Sequence, residues 1–442
     1  EHLHPCFKYF LIFQRPFHMA PCRMCYDFHG SSELGLCSIC QSKYDSLPEG
    51  DRPMLEETVA LEATDVPELG RLVQASGTAL QRGIIVGKAM KSAIVEFHNM
   101  AITFFPTGED LQPWNEVALA GLAQARTWTP IAVAEMEGLA HGTGLPVEML
   151  ARTHVFYEML RVNAAVWGSW GQQKIVSDGA SDIAHTWAAG EPLVTHFAHE
   201  CTSFAEWRTD GTLLAAQTND EPNCFFDRGN ADVLLRLQGT GIDGVVLTLT
   251  HPGMVAFKGC NSHGLIVCIN AIDNGERNLF AGVPRPYVAR DLLTKHTLQE
   301  AVDFIRTVPK TFPLVYLLSQ AGHGMVAIEA APSQCKESWG KTGTILARGN
   351  CLQLLAEEPE EDQKSKACLD LAVAAQQDTG RIDVSAAFEV LGASPVFSSG
   401  TVETFVCESE KGMYVKFMTD GRADSKWHSF EFDPLRHPIC II

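Results

Sequence analysis

The chain has 442 residues, with 34 Lys and Arg against 53 Asp and Glu, a formal charge of −19, and 46% hydrophobic against 20% charged residues. That is the composition of a folded globular protein, long enough for a large core or for two domains with an accessory module. The negative balance excludes a phosphate backbone as the natural partner, and no apolar run reaches the roughly 18 residues of a membrane-spanning helix.

The 14 cysteines divide into one tight N-terminal group of four and ten that stand singly in the rest of the chain. Scattered buried thiols suit a reducing compartment, and no Asn-x-Ser/Thr sequon occurs, so a cytoplasmic location is expected. The first methionine is Met19, and residues 1–18 read as a non-native leader. Cys22-x2-Cys25-x11-Cys37-x2-Cys40 follows as two chelating pairs. Such pairs grip a tetrahedral zinc from two sides, and metal binding then supplies most of the folding energy of so short a segment. Residues 19–45 are therefore expected to form a structural zinc module, and residues 46–75, rich in Pro, Gly and acid, a linker.

Helical periodicity begins after Ser76-Gly77-Thr78 and runs to about Phe105. Trp114–Ala125 and Pro130–Ala140 read as helices, and Pro146 is placed for the first turn of another. At Cys201 the texture changes to that of strands. Cys201-Thr202-Ser203-Phe204, the Thr209-Asp210-Gly211 turn and Gln217-Thr218-Asn219-Asp220 predict a hairpin that brings the Asp220 carboxylate back towards the Cys201 thiol. Thr212–Gln217, Gly244–Thr250, Met254–Gly259, Leu265–Ile269, Met325–Glu329 and Thr344–Ala347 read as short strands. Leu292–Val308 reads as a helix with Thr297 and Glu300 in a capping-box pattern, and residues 363–378 and 382–391 as two more. Strands and helices mixed in one span predict an α+β layered sandwich.

A cysteine that cuts the peptide bond before it gains a free α-amine, whose ordinary pKa of about 8 suits it as the base for its own thiol. Cleavage between Glu200 and Cys201 would create that arrangement. His196 and His199 flank the bond and read as surface strand residues, with assistance to proton transfer as the second reading.

Several ordered segments resemble the penicillin acyltransferase-like cysteine hydrolases, a family of the N-terminal-nucleophile superfamily. They are Gly77–Lys91, Glu135–Gly144, Cys201-Thr202-Ser203, Gly259-Cys260-Asn261-Ser262-His263-Gly264-Leu265 and Gly282-Val283-Pro284 with Arg290. The resemblance runs from about Ser76 to Asp433 and implies a four-layer αββα sandwich over residues 76–442, matured into a pro-segment (76–200) and a nucleophile-bearing chain (201–442) that stay together as a heterodimer. It implies a self-processing amidohydrolase or N-acyltransferase acting on an acyl amide or acyl-CoA. Cys201 is then the nucleophile and Asp220 the acid that orients amine or substrate. Asn350 is the side-chain oxyanion donor, Asn270 helps through its backbone, and no cofactor serves catalysis. The cysteine group resembles an A-twenty-type zinc finger, which implies ubiquitin as a partner. Glu200 stands where the family usually has glycine, Thr218-Asn219 reorders its Gln-Asn-x-Asp, and Ser365-Lys366 stands for its Ser-Arg. Those departures support a rival reading, a catalytically silent ubiquitin-binding adaptor. A lipid or bile-amide hydrolase of the same superfamily is a second rival.

Overall fold

The computed structural model describes residues 71–103, 112–160, 201–221, 232–358, 362–398, 400–419, 422–423, 428–432 and 440–441. The described residues all belong to one compact unit, within Ala60–Ile442. The expected zinc ligands Cys22, Cys25, Cys37 and Cys40, together with His196, His199 and Glu200, lie outside the described residues.

In chain order, β1 (Arg71–Ala75) leads into five helices, α1 (Ala79–Ala89), α2 (Lys91–Thr103), α3 (Gln112–Trp128), α4 (Pro130–Thr143) and α5 (Val147–His154). Six strands follow from Cys201 onward: β2 (Ser203–Trp207), β3 (Leu213–Asp220), β4 (Val233–Gly239), β5 (Ile242–Thr250), β6 (Lys258–Asn261) and β7 (Leu265–Ala271). Helices α6 (Arg285–Leu292) and α7 (Leu298–Thr307) precede β8 (Leu314–Gln320), β9 (Gly324–Ala330), β10 (Cys335–Trp339) and β11 (Thr344–Arg348). Helices α8 (Gln363–Thr379) and α9 (Val384–Gly392) lead to β12 (Thr401–Glu408), β13 (Gly412–Thr419), β14 (Arg422–Ala423), β15 (His428–Glu431) and β16 (Cys440–Ile441).

The strands form two sheets, one ordered β1-β4-β5-β6-β7-β8-β9-β10 and the other β11-β2-β3-β12-β13-β15-β16, with β14 on β13. Side chains alternate across each strand, so one residue faces a helix layer and the next the opposite sheet. Leu235 and Val267 pack with α1–α7 on the outer face of the first sheet. Leu234 and Ile266 meet Ala205, Phe405 and Met413 between the sheets. Phe204, Leu214 and Ala216 point outward from the second sheet onto Cys368 and Ala372 of α8 and Phe388 and Leu391 of α9. The result is an α+β fold with helices, two facing sheets and further helices in layers.

Two of the sequence motifs turn out to be packing devices. Helices α1 and α4 cross so closely that a Cβ on Gly83 would sit 2.0 Å from the Glu135 carbonyl oxygen, and one on Gly138 2.3 Å from that of Leu80. Beside the crossing, the buried Glu135 carboxylate takes Arg82 Nε at 2.8 Å and Arg290 Nε and Nη2 at 2.6 and 2.7 Å. That triad ties α1, α4 and α6 together.

Four expectations change. Residues 71–75 are not linker but an edge strand, parallel to β4 with Arg71 opposite Val233; Leu72, Val73 and Ala75 are apolar and buried in it. The helix begun at Thr78, whose side chain caps it in a box with Gln81, ends at Met90 and a second begins at Lys91. The run 292–308 is two helices, because Thr297 does cap α7 from an extended conformation and so interrupts the helix before it. Met254–Phe257 form an irregular turn, and the strand starts only at Lys258.

Candidate active site

Cys201 stands two residues ahead of β2, and the hairpin expected from the Thr-Asp-Gly turn is present. Ser203 lies opposite Gln217, and Thr202 pairs with Thr218 through Thr218 N donating to Thr202 O at 2.8 Å and Thr202 N to Thr218 Oγ1 at 3.0 Å. One step further along the pairing, Cys201 meets Asn219. The Cys201 thiol donates to Asn219 Oδ1 at 3.7 Å. Asn219 Nδ2 is buried and has no hydrogen-bond partner among the described residues.

The two asparagines singled out in the sequence grip the backbone of Cys201 from both ends. Cys201 N donates to Asn350 Oδ1 at 2.6 Å, and Asn270 Nδ2 donates to Cys201 O at 2.8 Å. Each is itself held. Asn350 Nδ2 donates to Ala271 O at 2.6 Å, and Asn270 Oδ1 accepts from Ser203 Oγ at 2.7 Å. Gln217 bridges the sheets by donating to Ile269 O and accepting from Ile269 N, at 2.8 and 3.1 Å, which fixes β3 against the residue before Asn270. Asn270 thus meets Cys201 with its side chain, and the amide nitrogen of Asn350 is engaged by Ala271.

Asp220 comes next after Asn219 and so projects from the other face of β3. Its Oδ1 accepts from Thr401 Oγ1 at 2.6 Å, and its Oδ2 meets Lys364 Nζ at 3.2 Å. The lysine on the acid is Lys364, two residues before the Lys366 of the Ser-Lys pair. Burial raises the Asp220 carboxyl above its usual range, against the pull of Thr401 and Lys364.

Burial also pushes the Cys201 thiol up to about 11, opposed by the cations Lys258 and Arg285 and reinforced by Asp220 and Glu221. Both cations are buried. Arg285 stacks on Phe257 with its guanidinium carbon 3.4 Å from the ring centroid, and Lys258 pairs with Glu403. Behind them runs a buried chain of polar groups in which His251 Nδ1 meets Asp232 at 2.7 Å, while Tyr157 donates to Glu221 at 2.9 Å and meets His251 Nε2 at 2.5 Å. Burial disfavours charge on His251, but Asp232 and then Glu221 outweigh it and hold its pKa at about 9. At neutral pH the site therefore presents a neutral thiol flanked by fixed charges, and it needs a base to become nucleophilic.

Sequence reading left out Asn219, Ser203, Arg285, Lys364, Thr401 and Glu221 as site residues. Asn219 was available from the period-two rule once the hairpin register was assumed. Lys364 and Thr401 lie 144 and 181 residues from Asp220, and no local signal marks them.

Residues 247–366 match a family described as acyl-coenzyme A:6-aminopenicillanic acid acyl-transferase. No curated protein matches the chain. Among solved structures, a Caenorhabditis elegans N-acylethanolamine-hydrolyzing acid amidase ortholog is similar at TM-score 0.39 and 20% identity, over 48% of this chain and 93% of its own. A Clostridium perfringens conjugated bile acid hydrolase gives 0.34 and 13%, over 55% and 96%. A penicillin V acylase from Agrobacterium tumefaciens gives 0.32 and 12%, over 54% and 90%. Among the described residues no helix is long and apolar enough to cross a membrane.

Proposed function

We propose that the chain is a self-processing cysteine amidohydrolase or N-acyltransferase of the N-terminal-nucleophile type. The observation that carries this reading is the double clamp on Cys201, with Asn350 at its nitrogen and Asn270 at its carbonyl, beside a buried thiol. Attack of Sγ on the carbonyl of residue 200 shifts the acyl group from nitrogen to sulfur, and water releases it as a carboxylate, leaving Cys201 with a free α-amine. Asn350 Oδ1, already on that nitrogen, then orients the amine lone pair. Asp220, held by Thr401 and Lys364, adds a negative field at the same residue.

In turnover the amine takes the thiol proton and sulfur attacks an acyl amide or acyl thioester. The tetrahedral oxyanion needs a donor that has no other partner, and Asn219 Nδ2 meets that condition where Asn350 Nδ2 does not. Collapse expels the amine or thiol, which takes the proton back from the α-ammonium. Water or an amine then attacks the thioester, with the α-amine again as base, and restores the thiol. The pro-segment and the nucleophile-bearing chain remain associated as a heterodimer, in the four-layer fold of that superfamily.

The N-terminal cysteine group, on the strength of its spacing, is assigned as a structural zinc finger that recruits a partner such as ubiquitin. The scattered thiols, of which Cys260, Cys268, Cys368 and Cys407 are free and buried, support a cytoplasmic site of action.

The test is labelling with an electrophilic acyl probe at neutral pH, followed by peptide mapping. Stoichiometric acylation of Cys201 is expected, with loss in Cys201→Ala. No acylation of a chain that begins at Cys201 refutes the reading and favours a silent binding scaffold.

A further inference from the structure

At the end of β7 remote from Asn270, three turns meet. Asp243 stands near the start of β5, His263 in the β6–β7 turn and His296 in the loop between α6 and α7. One ligand atom from each lies within 4.8 Å of the other two. His263 Nε2 is 3.5 Å from Asp243 Oδ2, and the two imidazole rings stack with centroids 4.4 Å apart. His263 Nε2 is enclosed and has no hydrogen-bond partner among the described residues.

The bland reading is a pair of stacked surface histidines near an acid. It does not account for how firmly the three turns are held. Ser262 N donates to Val245 O and Val245 N to Ser262 Oγ, both at 2.9 Å, which joins the β6–β7 turn to the strand carrying Asp243. Gln320 Nε2 donates to the carbonyls of both histidines, His263 O at 2.8 Å and His296 O at 2.7 Å. Asn261 Nδ2 reaches Leu293 O and Lys295 O at 3.1 and 2.8 Å, while its Oδ1 accepts from His263 N at 3.1 Å. The backbones under both imidazoles are thus fixed by the same two side chains.

We propose that Asp243, His263 and His296 form a binding site for one divalent ion of the zinc type, with at least one coordination position left to water. Two imidazoles and a carboxylate suit zinc and its first-row neighbours, whereas calcium and magnesium require oxygen ligands throughout. Tetrahedral zinc with bonds of about 2.1 Å sets its ligand atoms about 3.4 Å apart. The His263–Asp243 separation of 3.5 Å already meets that, and His296 must turn its ring out of the stack to bring a nitrogen to the same distance. Five strand steps separate Leu265 from Asn270, roughly 17 Å, so the ion would act as a clip on the three turns and take no part at Cys201.

The experiment is calorimetric titration of Zn2+ at pH 7.5 into the metal-stripped chain carrying Cys22→Ser, Cys25→Ser, Cys37→Ser and Cys40→Ser, which removes both thiolate pairs of the N-terminal competitor. One zinc per chain is expected. Affinity should fall more than about 100-fold in Asp243→Asn, His263→Gln and His296→Gln, since loss of an outer partner alone costs 10–100-fold. Co2+ at the same site should give visible bands without a thiolate charge-transfer band. Asp243 is exposed, so Asp243→Asn leaves the fold intact and keeps the comparison valid. Absence of micromolar Zn2+ binding to a folded chain overturns the proposal, as does binding that the three substitutions leave unchanged.

Discussion

Asn219 is the residue on which the chemistry of the site can be tested most selectively. It is 1% exposed, its Oδ1 takes the thiol at 3.7 Å, and its Nδ2 has no other partner among the described residues. A desolvated amide donor aimed at a developing oxyanion contributes about 2.7–4 kcal/mol to the transition state, or 10²–10³ in rate. Asn219→Ala is therefore expected to slow acylation of Cys201 by a p-nitrophenyl ester by about two to three orders of magnitude in stopped-flow burst experiments. Alkylation by iodoacetamide passes through no oxyanion, and its rate at the same pH should change only a few-fold. The contrast between the reagents separates an oxyanion donor from a group that only orients the thiol. Equal slowing with both reagents refutes the oxyanion role, and so does an acylation rate within tenfold of wild type.

Three further outcomes follow from the buried charges. Glu135→Ala strands Arg82 and Arg290, both 0% exposed, without their shared carboxylate; the loss is expected at about 3–5 kcal/mol in denaturant titration, and a change under 1 kcal/mol contradicts the triad's role. His251 has its pKa raised to about 9 from an ordinary 6.5, so its contribution is full below about pH 6.5 and is lost as pH rises through 9. His251→Gln should accordingly destabilise the protein more at pH 6 than at pH 9.5, and chemical denaturation at the two values checks the sign. Lys364 lowers the already raised Asp220 carboxyl, so Lys364→Met keeps that group protonated to higher pH. The rising limb of the acylation pH profile should then move upward, and an unmoved limb removes Asp220 from the mechanism.

The sequence carried the local parts of the fold well. Thr297 with Glu300, Thr78 with its helix, and the hairpin from Phe204 to Gln217 were legible because capping, turn chemistry and strand alternation all act within a few residues. The misreadings have the same cause in reverse. β1 looked like linker because five residues carry little periodicity, and only pairing with β4 makes them a strand. Leu292–Val308 looked continuous because apolar spacing persists across the loop that Asn261 and Gln320 pin from elsewhere in the chain. At the site, Cys201, Asn270 and Asn350 lie together, and the contacts their amides make are not legible from spacing. Which end of an amide faces a neighbour depends on partners such as Ala271 and Ser203, and no spacing encodes that.

The central claim is that Cys201 becomes the free N-terminus of its own chain. Intact mass spectrometry of the purified full-length protein, run beside Cys201→Ala, tests it directly. The wild type is expected as two fragments, the second beginning at Cys201, while the variant stays whole. A wild type that remains a single chain, with a Cys201 that acyl probes leave untouched, contradicts the account.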